Sequence, residues 1–154
     1  MTDIYERTRI LIGDEGLDCL GKAHVLVAGL GGVGGACAEA LCRAGVGELT
    51  LLDHDVFAPS NLNRQLLATQ SVIGQSKALV AAERLRSIRP DIRLNVRDSF
   101  LQASDAQRLV SQGKFDYVGD CIDSIASKAA LILACQQQSV PVMTSLGAGG
   151  RLDV

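Results

Sequence analysis

Five short apolar runs alternate along the chain with segments in which apolar residues recur every three or four positions. Short runs rich in Val, Leu and Ile are typical of buried strands, and the second spacing is typical of amphipathic helices. We predict strands at residues 25–28, 49–52, 92–96, 115–119 and 140–143, and helices over 33–44, from Ser76 to just before Pro90, over 104–113 and from Ser124 onward. Right-handed crossovers then place helices on both faces of one parallel sheet. The expected fold class is α/β, a doubly wound, mostly parallel, Rossmann-like sheet with strand order 3-2-1-4-5.

Particular residues mark where the predicted helices begin and end. Ser76, Ser104 and Ser124 each precede an apolar-periodic segment. We expect them to cap it, because a serine hydroxyl can accept a hydrogen bond from the free N–H groups of a first helical turn. Gly45 and Gly113 follow such segments and are expected to end them.

An arm precedes the first strand. The apolar residues of 5–22 are interspersed with charges, and Gly13 and Gly21 are predicted to divide this segment into two short helices. We therefore expect a short helical N-terminal arm over residues 1–22 and a nucleotide-binding, Rossmann-like domain over residues 23–154.

Composition narrows the class of protein. The 154 residues suffice for one sizeable core, and apolar residues make up 47% of the chain while aromatic residues make up 3%. Such a core consists of Val, Leu, Ile and Ala, as in parallel α/β sheets. The formal net charge of −2 gives no electrostatic case for a nucleic acid or an anionic membrane as a general partner. Because no apolar segment resembles a leader or a membrane span, we expect a soluble, cytoplasmic protein with no membrane partner.

The cysteines form no C-x-x-C pair, so neither a zinc knuckle nor a thioredoxin-like dithiol is indicated. We expect reduced and mostly buried thiols at Cys19, Cys37, Cys42, Cys121 and Cys135.

The first predicted strand leads into a glycine-rich turn, GLGGVG at residues 29–34. Gly29, Gly31 and Gly34 have the spacing of the dinucleotide-binding fingerprint, and Gly32 adds another residue without side-chain bulk. Such a turn aims backbone N–H groups and the positive end of a helix dipole at one point, which suits a phosphate. The turn predicts a nucleotide site without deciding the nucleotide. The alternative is that the glycines only allow close packing of helix against sheet.

Carboxylates at two strand ends extend this site. In the predicted strand order the first and fourth strands are neighbours, and ligands bind outside the carboxyl ends at that reversal. Asp53 ends the second strand, where its carboxylate can meet a ribose hydroxyl. Asp120 and Asp123 follow the fourth strand and are expected at the same edge.

The connection over residues 54–75 is long for a compact domain, which favours a functional loop. Asn61 and Arg64 lie in it, and Lys77 follows in the first turn of the next helix, where a cation opposes the helix dipole. Arg64 and Lys77 suit neutralisation of a triphosphate, and Asp123 suits a magnesium ligand against the same phosphates. Taken singly, each has an ordinary explanation as a surface charge, a turn residue or a helix cap.

Five ordered motifs resemble those of the ubiquitin-activating-enzyme-like adenylating superfamily, which includes the bacterial molybdopterin-synthase and thiamine-pathway adenylyltransferases. The motifs are GLGGVG at 29–34, LLDHD at 51–55, SNLNRQ at 60–65, GQSK at 74–77 and DCIDS at 120–124. The resemblance implies an enzyme that uses ATP and Mg²⁺ to adenylate a carboxylate. It also implies that residues 23–154 are the N-terminal part of a longer adenylation domain.

The resemblance assigns roles to individual residues. Asp53 would bind ribose, and Asp123 would hold Mg²⁺. The phosphate-binding residues would be Asn61, Arg64 and Lys77. Arg9, within TRILIG at 8–13, resembles the arginine that family members extend across a homodimer into the partner's ATP site.

Within the superfamily, RTRILIG at 7–13 and TSLGAGGRLD at 144–153 are most similar to the tRNA threonylcarbamoyladenosine dehydratases. Those enzymes activate the threonyl carboxylate of a modified adenosine at tRNA position 37 with ATP, and attack by the carbamoyl group within the substrate expels AMP and leaves a cyclic form. This resemblance implies tRNA as substrate.

Three alternatives stay open. The sulfur-transfer branch of the superfamily adenylates the C-terminal Gly-Gly of a small ubiquitin-like sulfur-carrier protein and implies a cysteine desulfurase or sulfur-acceptor partner. A nicotinamide-dependent oxidoreductase could share the sheet, although no residue has an evident role as hydride partner. A non-catalytic nucleotide-binding module is the third alternative.

Overall fold

The computed structural model describes residues 4–146, and these form a five-stranded sheet whose neighbouring strands are all parallel. The main elements are α1 (Glu6–Lys22), β1 (His24–Ala28), α2 (Gly32–Ala44), β2 (Glu48–Asp53), α3 (Lys77–Ile88), β3 (Arg93–Asp98), α4 (Ala106–Gly113), β4 (Tyr117–Asp120), α5 (Ile125–Gln137) and β5 (Val142–Thr144). The strand order is β3-β2-β1-β4-β5, so the predicted fold class and order are confirmed.

The two faces of the sheet bury separate apolar clusters. On β1, Val25 and Val27 pack with residues of α2 and α3, while Leu26 and Ala28 pack with residues of α4 and α5. This alternation follows from the two-residue period of a strand, whose successive side chains point to opposite faces. Because both faces are covered, residues 25–28 of β1 are all apolar, as the sequence predicts.

All five strands are confirmed, and each differs from its predicted bounds by one or two residues at one end or both. β4 spans Tyr117–Asp120 instead of 115–119, and the Phe115 ring ahead of it packs beside His24 with ring centroids 4.8 Å apart. β5 spans Val142–Thr144 instead of 140–143. The N–H of Val140 donates to the Cys135 carbonyl (2.9 Å), which ties Val140 to the end of α5 and keeps it out of the strand.

The predicted helix ends are partly confirmed. Ser76 caps α3, with its hydroxyl accepting from the Leu79 N–H at 3.4 Å. Gly45 ends α2 in the left-handed conformation (φ 105°). Ser104 is not a cap, because it lies inside a 3₁₀ turn (Ala103–Asp105) that runs directly into α4. Ser124 takes the cap position of α5 without a capping hydrogen bond from its side chain.

The arm forms α1, which is interrupted once. Gly13 has φ 69° and ψ −179°, so it divides the helix as predicted. Gly21 does not divide it: the segment stays helical to Lys22, and the prediction was wrong there. The boundary between residues 22 and 23 coincides with the end of α1, and the division into arm and domain stays a prediction. Within residues 4–146, no helix combines the length and apolarity required to cross a bilayer.

All five cysteines are free thiols. Cys42 and Cys135 are buried and Cys37 and Cys121 are half-buried, but Cys19 is exposed, contrary to the expectation of mostly buried thiols. Residues 147–153 of the C-terminal motif lie outside the described residues.

Candidate active site

A cavity of about 660 Å³ opens at the carboxyl ends of β1, β2 and β4, where the strand order reverses. Of the residues predicted for the site, those lining it are Gly29, Gly31, Gly32, Asp53, Asn61, Arg64, Lys77 and Asp123. Positions spread over almost a hundred residues of sequence thus meet at one sheet edge, as the rule for doubly wound folds predicts.

The glycines of the turn have two different structural roles: some allow close backbone packing, and others keep the cavity wall open. Gly29 has φ 86°, and a Cβ there would lie 2.6 Å from the Cys121 carbonyl oxygen, so no other residue fits without strain. Gly31 and Gly32 leave the cavity wall free of side chains. Gly34 does not line the cavity; a Cβ there would overlap the Gly29 carbonyl oxygen. Close packing of α2 against the turn therefore explains Gly34.

Asp53 joins the turn to β2. Its buried carboxylate accepts hydrogen bonds from the N–H groups of Leu30 (2.6 Å) and Asp55 (2.8 Å). The first bond fixes the glycine turn relative to the second strand. A carboxylate has about four acceptor sites, so each oxygen can still receive a ribose hydroxyl from the cavity side.

Lys77 is held in the cavity wall by a residue that the sequence analysis did not assign to the site. Only 6% of Lys77 is exposed, and its Nζ donates to the Asp55 carboxylate at 2.9 Å. The hydrogen bond from Lys77 holds the pKa of Asp55 below its ordinary value. The explanation of Lys77 as a solvated helix lysine is therefore wrong. The sequence does contain a signal for this ion pair. A lysine in the first turn of a helix opposes the helix dipole, so a negative charge nearby stabilises it.

Asn61 and Arg64 occupy the rim of the cavity. Asn61 is buried, and its Oδ1 accepts from the Ala58 N–H (2.9 Å), which leaves the amide nitrogen as the group able to donate to a ligand. Arg64 is exposed, and its Nη1 donates to the Ser60 carbonyl (2.9 Å) and to Asn63 Oδ1 (3.0 Å). Asn61 therefore both stabilises a turn and lines the cavity.

The two aspartates at the carboxyl end of β4 have different surroundings, since Asp120 ends the strand and Asp123 follows it. Asp123 is exposed at the cavity, and its carboxylate makes no hydrogen bond or ion pair with any residue of 4–146. Asp120 is fully buried instead, accepting from Lys128 Nζ (2.6 Å) and Thr144 Oγ1 (2.5 Å). Asp120 ends β4 at the predicted edge, but its side chain is paired with Lys128 and does not line the cavity, so the expectation that it joins the site was wrong.

The donor set fits Mg²⁺ at Asp123. Magnesium bound with nucleotides usually takes one or two protein carboxylates, with phosphate oxygens and waters completing the octahedron. Asp123 offers such a carboxylate with no competing partner in the described chain. Asp53, His54 and Asp55 also lie within 4.8 Å of one another through one ligand atom each. Asp53 and Asp55 are already hydrogen-bonded, so this second group fits a metal less well.

Gln65, the last residue of the SNLNRQ motif, also lines the cavity, and the sequence alone assigned it no role. It is 7% exposed, and its Oε1 is buried with no hydrogen-bond partner in the described part of the chain. A buried amide oxygen without a partner costs free energy, which a donor on a bound ligand would recover.

Arg9 is the predicted site residue that lies elsewhere. It sits on α1 and donates from Nε to Asp14 Oδ1 at 2.6 Å, and it does not line the cavity of its own chain. Its role across a homodimer stays a prediction.

Comparison with known proteins decides the family. The profile of the ThiF family matches residues 5–153. The chain belongs to the ThiF family. Of its ThiF-family relatives, the tRNA threonylcarbamoyladenosine dehydratase of Escherichia coli is 43% identical over 146 residues, which are 95% of this chain and 54% of that protein.

A solved structure of this relative and a second family member extend the comparison. The crystal structure of the E. coli dehydratase in complex with ATP matches with a TM-score of 0.92 at 42% identity, covering 97% of this chain and 61% of that chain. The E. coli molybdopterin-synthase adenylyltransferase is 36% identical over 151 residues, covering 97% of this chain and 59% of that protein. The chain thus spans between half and two thirds of the length of these relatives.

Proposed function

We propose that the chain binds ATP with Mg²⁺ in this cavity and adenylates a carboxylate, as the ATP-binding part of a tRNA threonylcarbamoyladenosine dehydratase. The convergence of Arg64, Lys77 and Asp123 on the glycine turn supports the proposal most directly. It is also supported by the similarity to the E. coli dehydratase that was crystallised with ATP.

Each residue has a defined task in this proposal. The N–H groups of the turn and the start of α2 bind phosphate oxygens, and Asp53 accepts from a ribose hydroxyl. Asn61, Arg64 and Lys77 donate to the phosphates. Asp123 holds Mg²⁺, which supplies charge neutralisation to the pyrophosphate that leaves.

The reaction needs this positive charge because both reactants are anions. A carboxylate that approaches the α-phosphate of ATP meets strong repulsion, and preorganised cations lower it without rearrangement during the reaction. Asp55 keeps Lys77 in place before the substrate arrives. In the dehydratase reaction a carbamoyl group of the same substrate then displaces AMP, so ring closure is intramolecular and requires no cysteine nucleophile.

A homodimer is part of the proposal. Arg9 of one protomer reaches the triphosphate bound by its partner and adds a further cation. A tRNA-modifying enzyme that consumes ATP acts in the cytoplasm, which is the location we propose.

The test is ATP–pyrophosphate exchange, measured with tRNA that carries threonylcarbamoyladenosine at position 37. We expect exchange that depends on this tRNA and on Mg²⁺, with unmodified tRNA as the matched control. Equal exchange with both tRNAs, or none with either, contradicts the dehydratase assignment.

The sulfur-transfer branch is the second candidate, favoured by the 36% identity to the molybdopterin-synthase adenylyltransferase. The substrate in this branch is a small ubiquitin-like sulfur-carrier protein that ends in Gly-Gly. This assignment also implies a cysteine desulfurase or a sulfur acceptor as a partner protein. Exchange driven by such a carrier and not by tRNA would move the protein to this branch.

A further inference from the structure

α5 carries a single charged residue, Lys128, and only 13% of its side chain is exposed. The Lys128 Nζ donates to the Asp120 carboxylate at 2.6 Å, to Thr144 Oγ1 at 3.0 Å and to the Ser145 carbonyl at 3.0 Å. These acceptors use all three donors of the ammonium group. Lys128 therefore joins α5 to the end of β4 and to the end of β5.

Asp120 lies at the centre of these contacts and is fully buried. Its Oδ2 accepts from Lys128 and also from Thr144 Oγ1 at 2.5 Å, while its Oδ1 accepts from the Ile122 N–H at 3.1 Å. The backbone carbonyl of Asp120 accepts from the Ser145 N–H at 2.9 Å. One residue thus holds both the loop after β4 and the segment after β5.

The segments held in this way line the nucleotide cavity, although Asp120 and Lys128 do not. Ile122 directly precedes Asp123, and both line the cavity, as Ser145 does from the segment after β5. The Asp123 side chain makes no hydrogen bond or ion pair in the described part of the chain, so its position depends on the backbone that carries it. The hydrogen bond from the Ile122 N–H to Asp120 restrains that backbone one residue ahead of Asp123.

Stability alone is a weak explanation for this buried ion pair. Taking two charges out of water is costly, and apolar residues of similar volume often replace such a pair without loss of stability. A buried polar network in which every group is hydrogen-bonded does, however, make the segments that it joins rigid. The contacts of Asp120 and Lys128 therefore favour a role in the geometry of the cavity.

We propose that Asp120 and Lys128 are positioning residues for Asp123. Their ion pair holds the loop at residues 121–123 in one conformation, which keeps the Asp123 carboxylate at the cavity where Mg²⁺ would bind. Neither residue contacts the nucleotide or the metal. The role toward Mg²⁺ rests on the proposed function, whereas the effect of the ion pair on the loop is independent of it.

The variants must avoid a buried charge without a counter-charge, which can unfold the chain. Asp120→Ala is therefore combined with Lys128→Met, whose flexible side chain can fill the vacated space. Thr144→Val is a milder change at a largely exposed residue, and it decides the question if the double variant does not fold. Lys128→Arg is the conservative variant, because it keeps the charge and several donors. The matched control is Lys22→Met on α1.

The loop is tested in the ligand-free protein by amide hydrogen exchange, resolved to single residues. We expect exchange at Ile122 to be about tenfold faster in the double variant, as for a lost hydrogen bond to a charged group. Thr144→Val should give a smaller acceleration, and Lys128→Arg and Lys22→Met should give none. Exchange over β1 is the internal reference. Unchanged exchange at Ile122, or acceleration by the same factor in β1, overturns the proposal.

The role toward Mg²⁺ is tested by titration with ATP, with and without Mg²⁺, and with AMP as the reference ligand. We expect the double variant to weaken the binding of ATP with Mg²⁺ about tenfold, to change AMP affinity less, and Lys128→Arg to restore the Mg²⁺ effect. An unchanged Mg²⁺ effect in a variant with a released loop overturns the positioning role. If Mg²⁺ has no effect on ATP affinity in the unaltered protein, the proposed function is contradicted, while the exchange rates still decide whether the ion pair holds the loop.

Discussion

Lys77 Nζ lies 2.9 Å from the Asp55 carboxylate, so the cation of the GQSK motif is paired with the last residue of the LLDHD motif. The backbone N–H of Lys77 also donates to the Asp55 carbonyl at 2.9 Å. The start of α3 is therefore joined by two hydrogen bonds to the segment that directly follows β2. This pairing keeps a buried positive charge at the cavity before any ligand binds.

Removing that charge should weaken ATP binding without unfolding the chain. Lys77→Met keeps the apolar stem and should lower ATP affinity roughly tenfold to a hundredfold, the range for a lost hydrogen bond to a charged group. Titration calorimetry with Mg²⁺ measures it, and Lys22→Met on the arm is the matched control. An unchanged ATP affinity in Lys77→Met would exclude Lys77 as a phosphate ligand.

Asp123→Asn should remove the magnesium dependence of ATP binding. The side chain is exposed and makes no hydrogen bond within residues 4–146, so the thermal midpoint should not change. The control is Asp98→Asn, an exposed aspartate at the end of β3 that does not line the cavity. ATP affinity that still rises with Mg²⁺ in Asp123→Asn means that another group holds the metal.

Two glycine substitutions should have opposite effects on stability. Gly34→Ala places a Cβ onto the Gly29 carbonyl oxygen and should destabilise the protein by about 2 kcal/mol or more. Gly21→Ala adds a Cβ in open space within α1 and should stabilise by up to about 1 kcal/mol. Urea unfolding followed by circular dichroism compares them. A neutral Gly34→Ala would show that the turn is not closely packed.

Acid should release the contact between α2 and α3. The hydrogen bond from Arg84, supported by Arg43, holds the pKa of Glu39 below its ordinary value. Glu39 therefore contributes stability above the unfolded glutamate pKa of about 4.3, and this contribution is lost as the pH falls through the lowered folded pKa. Glu39→Gln should flatten the decline of urea midpoints over this acid range. An equally steep decline in the variant would assign the pH dependence elsewhere.

Arg9 gives a separate test of assembly. An Arg9→Ala chain mixed with a Lys77→Met chain forms heterodimers in which one site has both cations, so part of the pyrophosphate exchange should return. Each variant alone should stay inactive. Mixtures no more active than the separate variants would leave Arg9 acting within its own subunit or not at all.

The sequence predicts the sheet because its central strand is buried on both faces. Val25 and Val27 on one face and Leu26 and Ala28 on the other make residues 25–28 of β1 an uninterrupted apolar run, and the order of the elements then fixes the parallel topology. The residues at which the strands begin and end were less predictable, because contacts between distant parts of the chain determine them. Phe115 reads as a strand residue but packs beside His24, and Val140 is bonded to the end of α5.

The candidate site was predictable where a motif and a strand end coincide. Gly29 and Asp53 follow that rule and line one cavity, together with Lys77 from the start of α3. Asp120 follows it too but is turned into the core by Lys128, a partner that no local pattern indicates.

The most direct test of the triphosphate site is a calorimetric comparison of ATP with Mg²⁺, AMP and NADH as ligands of the same protein. Cations around the phosphates and a carboxylate that holds Mg²⁺ should make ATP with Mg²⁺ the tightest of the three ligands. Lys77→Met should lower the ratio of ATP affinity to AMP affinity. Tighter binding of NADH, or equal binding of ATP and AMP by the unaltered protein, would contradict the account.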